Sequence, residues 1–556
     1  MKRQTLLLFI AFTLSISLFS QEKVRNLILM IPDGTSSSIL SLARWYKFGV
    51  CAADNCRLAI DPHLCGLVST YNSDSPIGDS APTGSAYATG HLSNTGFVAT
   101  YPVSSGADRD LIRVDPLKAY HPLFTILEAA QLQGKSTGLV VTCEFPHATP
   151  ADFSAHTFNR EDKEGIAIQM VHNHLNVIFG GGMQYLDPAK RADGMDLLNE
   201  LRLRGYTLAT TVEQFRSLNP ADTLVYGIFA EKDLPYDLDR DPADVPSLAE
   251  MTKKAIQILA PNPNGFFLMV EGSKIDWAAH ANDAAGIITE YLAFDDAVKE
   301  AVDFANRDGY TAVVVAPDHG NSGISLGNRR TEGDYDELPL NDLTGPLRAC
   351  KRTAEGIARL ISETPSNTGK IFFDNTGIRL SEEQIQGLMD ADTSANVDLL
   401  PNEVARLISD HTCVGFTTHG HTGEDVMLAV YHPGNIHPLG VVKNVELNEY
   451  MTRILAVPNL DSLTEARFCI DTVALRGLTL ELMAGGKSLP TLVVRPEKNS
   501  KLRALVTASK DEVILLKKDQ VVKTIPLHSL AIYVEPLEHF FLPKDTGARL
   551  RAAFQP

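Results

Sequence analysis

The sequence predicts an α/β fold with a doubly wound, mostly parallel central sheet, an inserted region and a small β-rich C-terminal module. Between about residue 24 and residue 325, short apolar β-rich runs alternate with helical stretches. Strands that are apolar along their whole length and separated by helices are typical of parallel sheets covered on both faces. From about 326 to 410 the chain is polar and charged, with helical pieces and few strand signals.

Seven apolar runs carry the strand signal of the core. We expect strands at Leu27–Ile31, Leu67–Thr70, Gly138–Thr142, Val177–Phe179, Phe266–Val270, Thr311–Ala316 and, after the insertion, Val426–Tyr431. Amphipathic stretches such as Pro122–Gln133 and Ala284–Asn306 predict helices between them. Ligands of such sheets bind beyond the carboxyl ends of the strands, so residues that follow these runs are candidates for a functional site.

The chain changes character again near residue 460. Short β-like runs at Thr491–Val494, Glu512–Leu516 and Ala531–Val534 alternate with Lys-rich turns. We therefore expect one domain over residues 21–455, with the insertion at 326–410, and a small β-rich domain over residues 460–556. The sequence does not indicate the role of this second domain.

The N-terminus has the pattern of an export signal. Lys2 and Arg3 form a positive start, Leu6 to Phe19 form an apolar run, and Ser20 is a small residue at which cleavage would leave Gln21 as the new N-terminus. The apolar run is too short to span a membrane easily. We expect a signal peptide over residues 1–20 and a periplasmic or secreted protein without a transmembrane anchor.

Composition and charge restrict the partners. A chain of 556 residues that is 44% hydrophobic can bury a large core, and its formal net charge is -18. Proteins that bind a nucleic-acid backbone concentrate Lys and Arg, so nucleic acid is not expected as a partner. An anionic substrate would need local positive charge, which metal ions can supply. Among the seven cysteines, those at 51, 56 and 65 can include one disulfide in an oxidising compartment.

The ten residues from Glu271 to His280 carry the strongest chemical signal. Asp276 and His280 are four residues apart, so a helix places both on one face. A carboxylate and an imidazole at this spacing are a suitable pair of transition-metal ligands. Glu271 lies at the end of the preceding strand. An exposed helix can also carry such a pair by chance, and the pair alone does not decide between the two.

Other candidate ligands follow or precede strands. Asp33 follows the first apolar run, and Asp318 and His319 follow the run at Thr311–Ala316. His421 precedes the strand at Val426–Tyr431, among small residues that permit a close backbone approach. Ordinary turn residues or exposed loop histidines are the alternative for each of these positions. His419 is expected to support the site or lie at the surface.

Ser80 is a candidate nucleophile. It follows Asp79 and begins a stretch of small residues that suits a helix, and free N–H groups at a helix N-terminus favour an anion. An ordinary Asp-Ser helix cap is the alternative.

The order of these residues along the chain resembles the order of functional residues in the alkaline phosphatase family. The resemblance covers roughly residues 24 to 455. The residues that carry the resemblance are Asp33, Asp79-Ser80-Ala81, His147-Ala-Thr149-Pro, Arg160, Gly180-Gly-Gly182, Glu271 to His280, Asp318-His319 and His421-Thr-Gly. The resemblance implies an alkaline phosphatase-like fold, in which the insertion corresponds to a crown-type region that often shapes the site entrance or a dimer contact. The resemblance therefore leaves undecided whether the chain forms a homodimer.

The resemblance also implies hydrolysis of phosphate monoesters through a phosphoserine on Ser80, with two zinc ions and a third ion that is usually magnesium. Two cations about 4 Å apart can bind the attacking and leaving oxygens on opposite sides of phosphorus. The implied ligands are Asp276, His280 and His421 for one zinc, Asp33, Asp318 and His319 for the other, and Asp33, Thr149 and Glu271 for the third ion. Arg160 resembles the guanidinium that grips two phosphate oxygens.

Two positions depart from the commonest bacterial pattern. Many relatives carry Asp in place of His147 and Lys in place of Trp277. His147 either orients a water at the third ion or binds that ion directly, and the sequence leaves both open. A lysine would add positive charge that Trp277 cannot supply, so we expect a weaker hold on product phosphate.

Three other functions are alternatives for a sequence of this kind. A sulfatase needs a Cys/Ser-x-Pro-x-Arg signature, and the segment from Ser80 to Gly84 ends in glycine. A phosphodiesterase of the same superfamily typically uses a threonine nucleophile and lacks the third ion, which Thr149 and Glu271 would hold here. An exported, non-catalytic protein that binds metal or phosphate is the remaining alternative.

Overall fold

The computed structural model describes residues 24–555 apart from residue 334, residues 484–487 and residues 498–500. The predicted signal peptide therefore lies outside the described residues. Within the described part of the chain, no helix has the length and apolar character that a membrane span requires.

Ten strands form the central sheet. They are β1 Asn26–Ile31, β2 Leu64–Ser69, β3 Ser136–Glu144, β4 Val177–Gly181, β5 Thr207–Ala209, β6 Val225–Ile228, β7 Phe266–Glu271, β8 Thr311–Val315, β9 Val426–Tyr431 and β10 Gly440–Lys443. Their spatial order is β10-β2-β9-β8-β1-β7-β3-β4-β6-β5. Only β9 runs antiparallel to its neighbours, so the predicted doubly wound, mostly parallel sheet is confirmed.

All seven predicted core strands are present, and three further strands were missed. The missed strands are β5, β6 and β10, which are short. Two of them, β5 and β10, lie at the edges of the sheet. Side chains of β1 alternate between two large apolar clusters, with Ile28 in one cluster and Leu27 in the other. The sheet is therefore covered on both faces, as the continuous apolar runs indicate.

The main helices of this domain pack on the two faces of the sheet. They are Ser38–Phe48, Ser80–Thr89, Ile126–Leu132, Ala148–Ala151, Lys163–His172, Leu197–Leu203, Val212–Ser217, Leu248–Leu259, Lys274–His280, Ala284–Asp308 and Asn444–Leu455. The predicted helix at Pro122–Gln133 begins later than expected. The Thr125 hydroxyl accepts a hydrogen bond from the Glu128 amide at 3.1 Å and forms a capping box, which sets the helix start.

The insertion is helical, as expected. Its helices are Leu340–Ala349, Ala354–Glu363, Thr368–Thr376, Glu382–Asp392 and Leu399–Ser409. A short antiparallel pair, Ser325–Leu326 with Val414–Gly415, joins the two ends of the insertion at its base. In the neighbouring region, Cys51 and Cys56 form a disulfide, and Cys65 is free.

The C-terminal residues form two small antiparallel sheets. The three-stranded sheet contains Cys469–Ile470, Ile532–Val534 and His539–Leu542, and the five-stranded sheet contains Leu478–Met483, Thr491–Pro496, Leu502–Thr507, Glu512–Lys517 and Gln520–Pro526. The β-rich character predicted for this region is confirmed.

An ion network and an apolar cluster attach this module to the domain that contains the central sheet. The Asp511 carboxylate contacts His172 Nδ1 at 2.8 Å and His174 Nε2 at 2.7 Å, and it accepts a hydrogen bond from Arg204 at 2.7 Å. Burial alone would raise the pKa of Asp511, but these partners hold it far below its ordinary value. Beside the network, Phe124 packs in one cluster with apolar residues of the module.

Candidate functional site

The candidate ligands converge because β1 lies between β7 and β8. Ile31 is in register with Glu271, and Met30 is in register with Val315. Asp33 and Asp318 each follow the carboxyl end of a strand, so three segments far apart in sequence meet at one edge of the sheet. A short strand, His421–Thr422, pairs with Gly320–Asn321 and brings His421 to the same edge.

The first group of ligands is Asp276, His280 and His421. His280 Nε2 lies 3.1 Å from His421 Nε2 and 3.4 Å from Asp276 Oδ2. His421 Nε2 lies 3.7 Å from Asp276 Oδ1. A tetrahedral zinc ion with ligands at about 2.0–2.1 Å requires ligand atoms about 3.3 Å apart. The three side chains therefore fit a single ion of this kind.

The second group is Asp33, Asp318 and His319. His319 Nε2 lies 3.4 Å from Asp33 Oδ1 and 3.6 Å from Asp318 Oδ2. Ser80 Oγ lies 3.4 Å from the same nitrogen, so the hydroxyl is within reach of an ion held by this group. The His319 and His421 rings stack with their centroids 3.8 Å apart, which places the two groups side by side.

The hydrogen bonds of three histidines define which nitrogen faces the site. Nδ1 of His280 contacts the His419 carbonyl at 2.6 Å, Nδ1 of His319 contacts the Gly320 carbonyl at 3.1 Å, and Nδ1 of His421 contacts the Gly78 carbonyl at 2.9 Å. A carbonyl only accepts, so each Nδ1 carries the proton, and Nε2 is the nitrogen that could offer a lone pair to a metal ion. Histidine ligands of metals typically have this arrangement.

The third group surrounds Glu271 at the end of β7. Thr149, in the helix Ala148–Ala151, and the preceding His147 lie on one side of it. Cys143, on β3, joins this group because a ligand atom of Cys143, His147 and Glu271 each lies within 4.8 Å of the other two. Reasoning from sequence missed Cys143, since only the pairing of β3 with β7 brings it to Glu271.

Several buried polar atoms at this edge lack hydrogen-bond partners among the described residues. They are both carboxylate oxygens of Asp33, Asp318 Oδ2, Glu271 Oε1, Thr149 Oγ1 and His147 Nδ1. Burying an unpaired carboxylate costs several kcal/mol. Divalent cations coordinated by these oxygens and by the histidine nitrogens would remove that cost, so the residues present fit metal ions.

The charges of the site support the same interpretation. Burial and then the Asp318 carboxylate raise the pKa of Asp33 well above its ordinary value, and the same two causes raise the pKa of Glu271 to about 8. Burial would also raise the pKa of Asp276, but the neighbouring histidines hold it below its ordinary value. Without cations, this edge therefore carries more carboxylates than it can keep ionised together.

Arg160 lies between the candidate nucleophile and His147. Its Nη1 donates a hydrogen bond to Asp79 Oδ1 at 2.6 Å, and its Nη2 lies 3.3 Å from His147 Nε2. Asp79 occupies the N-cap position of the helix that Ser80 begins, and its side chain makes no capping hydrogen bond there. The guanidinium is thus held next to Ser80, where its remaining N–H groups can reach an anion bound at the helix N-terminus.

Trp277 packs against His147 with ring centroids 5.9 Å apart. The Lys274 ammonium lies 4.9 Å from the Trp277 ring, but it forms an ion pair with Asp233. Lys163 likewise pairs with Glu144 at 2.6 Å. Both lysines are therefore paired with carboxylates.

The insertion borders the entrance beside His280. The His280 side chain is 42% exposed, the most open of the candidate ligands. His419 is exposed, and its Nδ1 contacts the His280 carbonyl at 2.8 Å, so it lies at the surface beside a candidate ligand. A cavity of about 420 Å³ lies between His419 and the helix Leu399–Ser409 of the insertion.

Comparisons with known proteins identify the family of the chain. The family model described as alkaline phosphatase matches residues 24–457. Alkaline phosphatase 3 of Bacillus subtilis (strain 168) is 34% identical over 446 residues, which cover 78% of this chain and 90% of the relative. The repressible alkaline phosphatase of Saccharomyces cerevisiae (strain ATCC 204508 / S288c) is 30% identical over 494 residues, which cover 80% and 82%.

Solved structures show the same fold. The cold-active alkaline phosphatase of Shewanella sp. superimposes with a TM-score of 0.67 at 29% identity, covering 77% of this chain and 99% of that one. The alkaline phosphatase of Thermus thermophilus gives a TM-score of 0.68 at 27% identity, covering 79% and 92%. The family match ends at residue 457, before the C-terminal module.

Proposed function

Since the chain belongs to the alkaline phosphatase family, we propose that it hydrolyses phosphate monoesters through a phosphoserine intermediate on Ser80. The observation that carries this proposal is the convergence of three histidine Nε2 atoms and several unpartnered carboxylate oxygens beside the Ser80 hydroxyl. A binding protein would not need a hydroxyl at this position.

Two zinc ions would be held by the first and second groups of ligands. When bound, they supply positive charge that favours loss of the Ser80 proton and stabilises the leaving oxygen. The third group would hold a further divalent cation through Asp33, Thr149 and Glu271, which the family resemblance predicts to be magnesium.

The chain's own residues bind and orient the phosphate. Ser80 stands at the first turn of a helix, whose free N–H groups and dipole favour an anion. Arg160 would donate two hydrogen bonds to phosphate oxygens, and Asp79 fixes its direction. Attack by Ser80 Oγ forms an O–P bond and breaks the bond to the substrate alcohol, which leaves with a proton. Water then attacks the phosphorus, the bond to Ser80 Oγ breaks, a proton from water restores the hydroxyl, and inorganic phosphate is released.

The distinguishing experiment compares p-nitrophenyl phosphate with bis-p-nitrophenyl phosphate. The proposal predicts faster hydrolysis of the monoester, loss of activity on chelation and recovery with zinc and magnesium. Ser80→Ala should abolish hydrolysis and still bind zinc. A faster rate on the diester would indicate a phosphodiesterase, and metal binding without hydrolysis of either compound would indicate a binding protein.

Export and dimerisation remain predictions. N-terminal sequencing of protein recovered outside the cytoplasm should begin at Gln21. Light scattering coupled to gel filtration would determine whether the purified chain is a dimer.

A further inference from the structure

Cys143 stands in a position that neither the family motifs nor the proposed steps use. It lies near the end of β3, and its side chain is fully buried. Its sulfur lies 3.6 Å from Glu271 Oε2, and it forms no disulfide. The Cys143 amide donates to Ser273 Oγ at 3.2 Å, which fixes this part of β3 against the residues that follow Glu271.

The space next to the sulfur has the properties of a ligand site. Glu271 Oε1, Thr149 Oγ1 and His147 Nδ1 are all buried and have no hydrogen-bond partner within the described ranges. Ligand atoms of Cys143, His147 and Glu271 lie within 4.8 Å of one another. The cysteine is thus one donor in a buried cluster that already lacks partners.

The distance between sulfur and carboxylate fits a common ion. Zinc binds sulfur at about 2.3 Å and carboxylate oxygen at about 2.1 Å, so in a tetrahedral site these two atoms lie about 3.6 Å apart. The distance observed between Cys143 Sγ and Glu271 Oε2 is 3.6 Å. A thiol that only donates a hydrogen bond to Glu271 is the competing explanation.

The chemistry of the donors decides which ion such a site prefers. Magnesium takes oxygen ligands in near-octahedral geometry and keeps several waters. Thiolate and imidazole are softer donors that favour zinc and its neighbours in the first transition row. We propose that Cys143 is a ligand of the third ion, and that this site therefore takes a zinc-class transition-metal ion in preference to magnesium. On binding, the thiol proton passes to solvent.

This inference rests on the proposed function, because that function requires a third ion. It adds Cys143 to the ligands of that ion and changes the ion's identity. Within the described residues, Cys143 is the only cysteine in the three candidate metal groups. Any sulfur–metal signal from the loaded protein therefore reports Cys143 alone.

Cobalt substitution provides the test. Chelator-treated protein is reloaded with Co²⁺, and the near-ultraviolet sulfur-to-cobalt charge-transfer band is recorded for the wild type, Cys143→Ala and Cys143→Ser. Cys350→Ser is the matched control, since Cys350 is also buried and free but lies in the insertion. The band should be present in the wild type and Cys350→Ser and absent from both Cys143 variants. Thermal unfolding of each variant checks that it folds.

Metal analysis extends the test to selectivity. After equilibration with zinc and excess magnesium, the wild type should carry zinc in all three groups. Cys143→Ala should lose the third zinc, with affinity lowered on the order of a hundredfold or more, and take magnesium in its place. A wild type without the charge-transfer band, or with magnesium as its third ion, would overturn the inference. Activity on p-nitrophenyl phosphate is measured in parallel, so an active enzyme without the band refutes only the role of Cys143, and an inactive loaded enzyme refutes the proposed function.

Discussion

Removing the divalent ions should make the stability of this protein fall as the pH rises. Glu271 is fully buried, and its pKa is about 8 instead of the ordinary 4.5. The folded, ion-free chain thus binds this proton more tightly than the unfolded chain. The contribution of Glu271 to the free energy of unfolding is therefore fully present below about pH 4.5 and is lost as the pH rises to about 8. The difference of 8 minus 4.5 corresponds to about 5 kcal/mol at about 1.4 kcal/mol per unit.

Asp33 contributes in the same direction, because burial and the Asp318 carboxylate raise its pKa as well. Bound cations would remove the penalty for both carboxylates. The loaded protein should therefore keep its stability across this range, and the difference in unfolding free energy between loaded and ion-free protein should widen by several kcal/mol from pH 5 to pH 9.

Urea unfolding of both forms at several pH values measures that difference. Glu271→Gln removes one of the two titrating groups, so its ion-free form should lose the part of the pH dependence that Glu271 supplies and keep the part that Asp33 supplies. Glu290→Gln is the matched control: Glu290 is also fully buried with a pKa of about 8, but it lies outside the three ion groups. Glu290→Gln should change the unfolding free energy of the loaded form and of the ion-free form by the same amount at each pH. The reasoning would be refuted if the difference in unfolding free energy between loaded and ion-free protein were the same at pH 5 and pH 9. It would also be refuted if the pH dependence of that difference were unchanged in Glu271→Gln.

Four further substitutions test other parts of the molecule. Ser80→Ala should lower kcat by on the order of a thousandfold or more while zinc content stays constant; retained turnover would exclude Ser80 as the nucleophile. Arg160→Lys loses the paired hydrogen bonds to phosphate and should raise KM for p-nitrophenyl phosphate about tenfold, with an unchanged KM as the contrary result. Trp277→Lys adds charge beside the site and should tighten inhibition by inorganic phosphate about fivefold; an unchanged inhibition constant would contradict this. Asp511→Asn breaks the ion network of the C-terminal module. It should lower the free energy of unfolding by about 3 kcal/mol and expose the segment that follows the helix Asn444–Leu455 to protease; a stable, resistant variant would show that the apolar cluster alone holds the module.

The sequence predicts the site residues that can be recognised from neighbouring residues in the chain, such as an apolar run or a helical spacing. Asp33, Glu271 and Asp318 each follow an apolar run, and the carboxyl ends of parallel strands meet at one edge. The spacing of Asp276 and His280 suits one helix face, and the helix Lys274–His280 provides it. The order of these residues along the chain then provides the resemblance to the alkaline phosphatase family.

Features that depend on contacts between distant segments could not be predicted in this way. Cys143 reaches Glu271 only through the pairing of β3 with β7. Asp511 meets His172 across more than three hundred residues, and no local pattern marks either partner. The strands β5 and β10 are short and lie at the sheet edges, so they lack the continuous apolar run that identifies a buried strand.

The central claim is that Ser80 receives the phosphoryl group from a monoester. The most direct measurement is mass spectrometry of the peptide containing Ser80 after the metal-loaded protein has been mixed with p-nitrophenyl phosphate and quenched in acid. The account predicts one added phosphoryl group on Ser80, and none on that peptide in Ser80→Ala or in chelator-treated protein. Hydrolysis of the monoester with an unmodified Ser80 peptide, or a phosphoryl group on another residue, would contradict it.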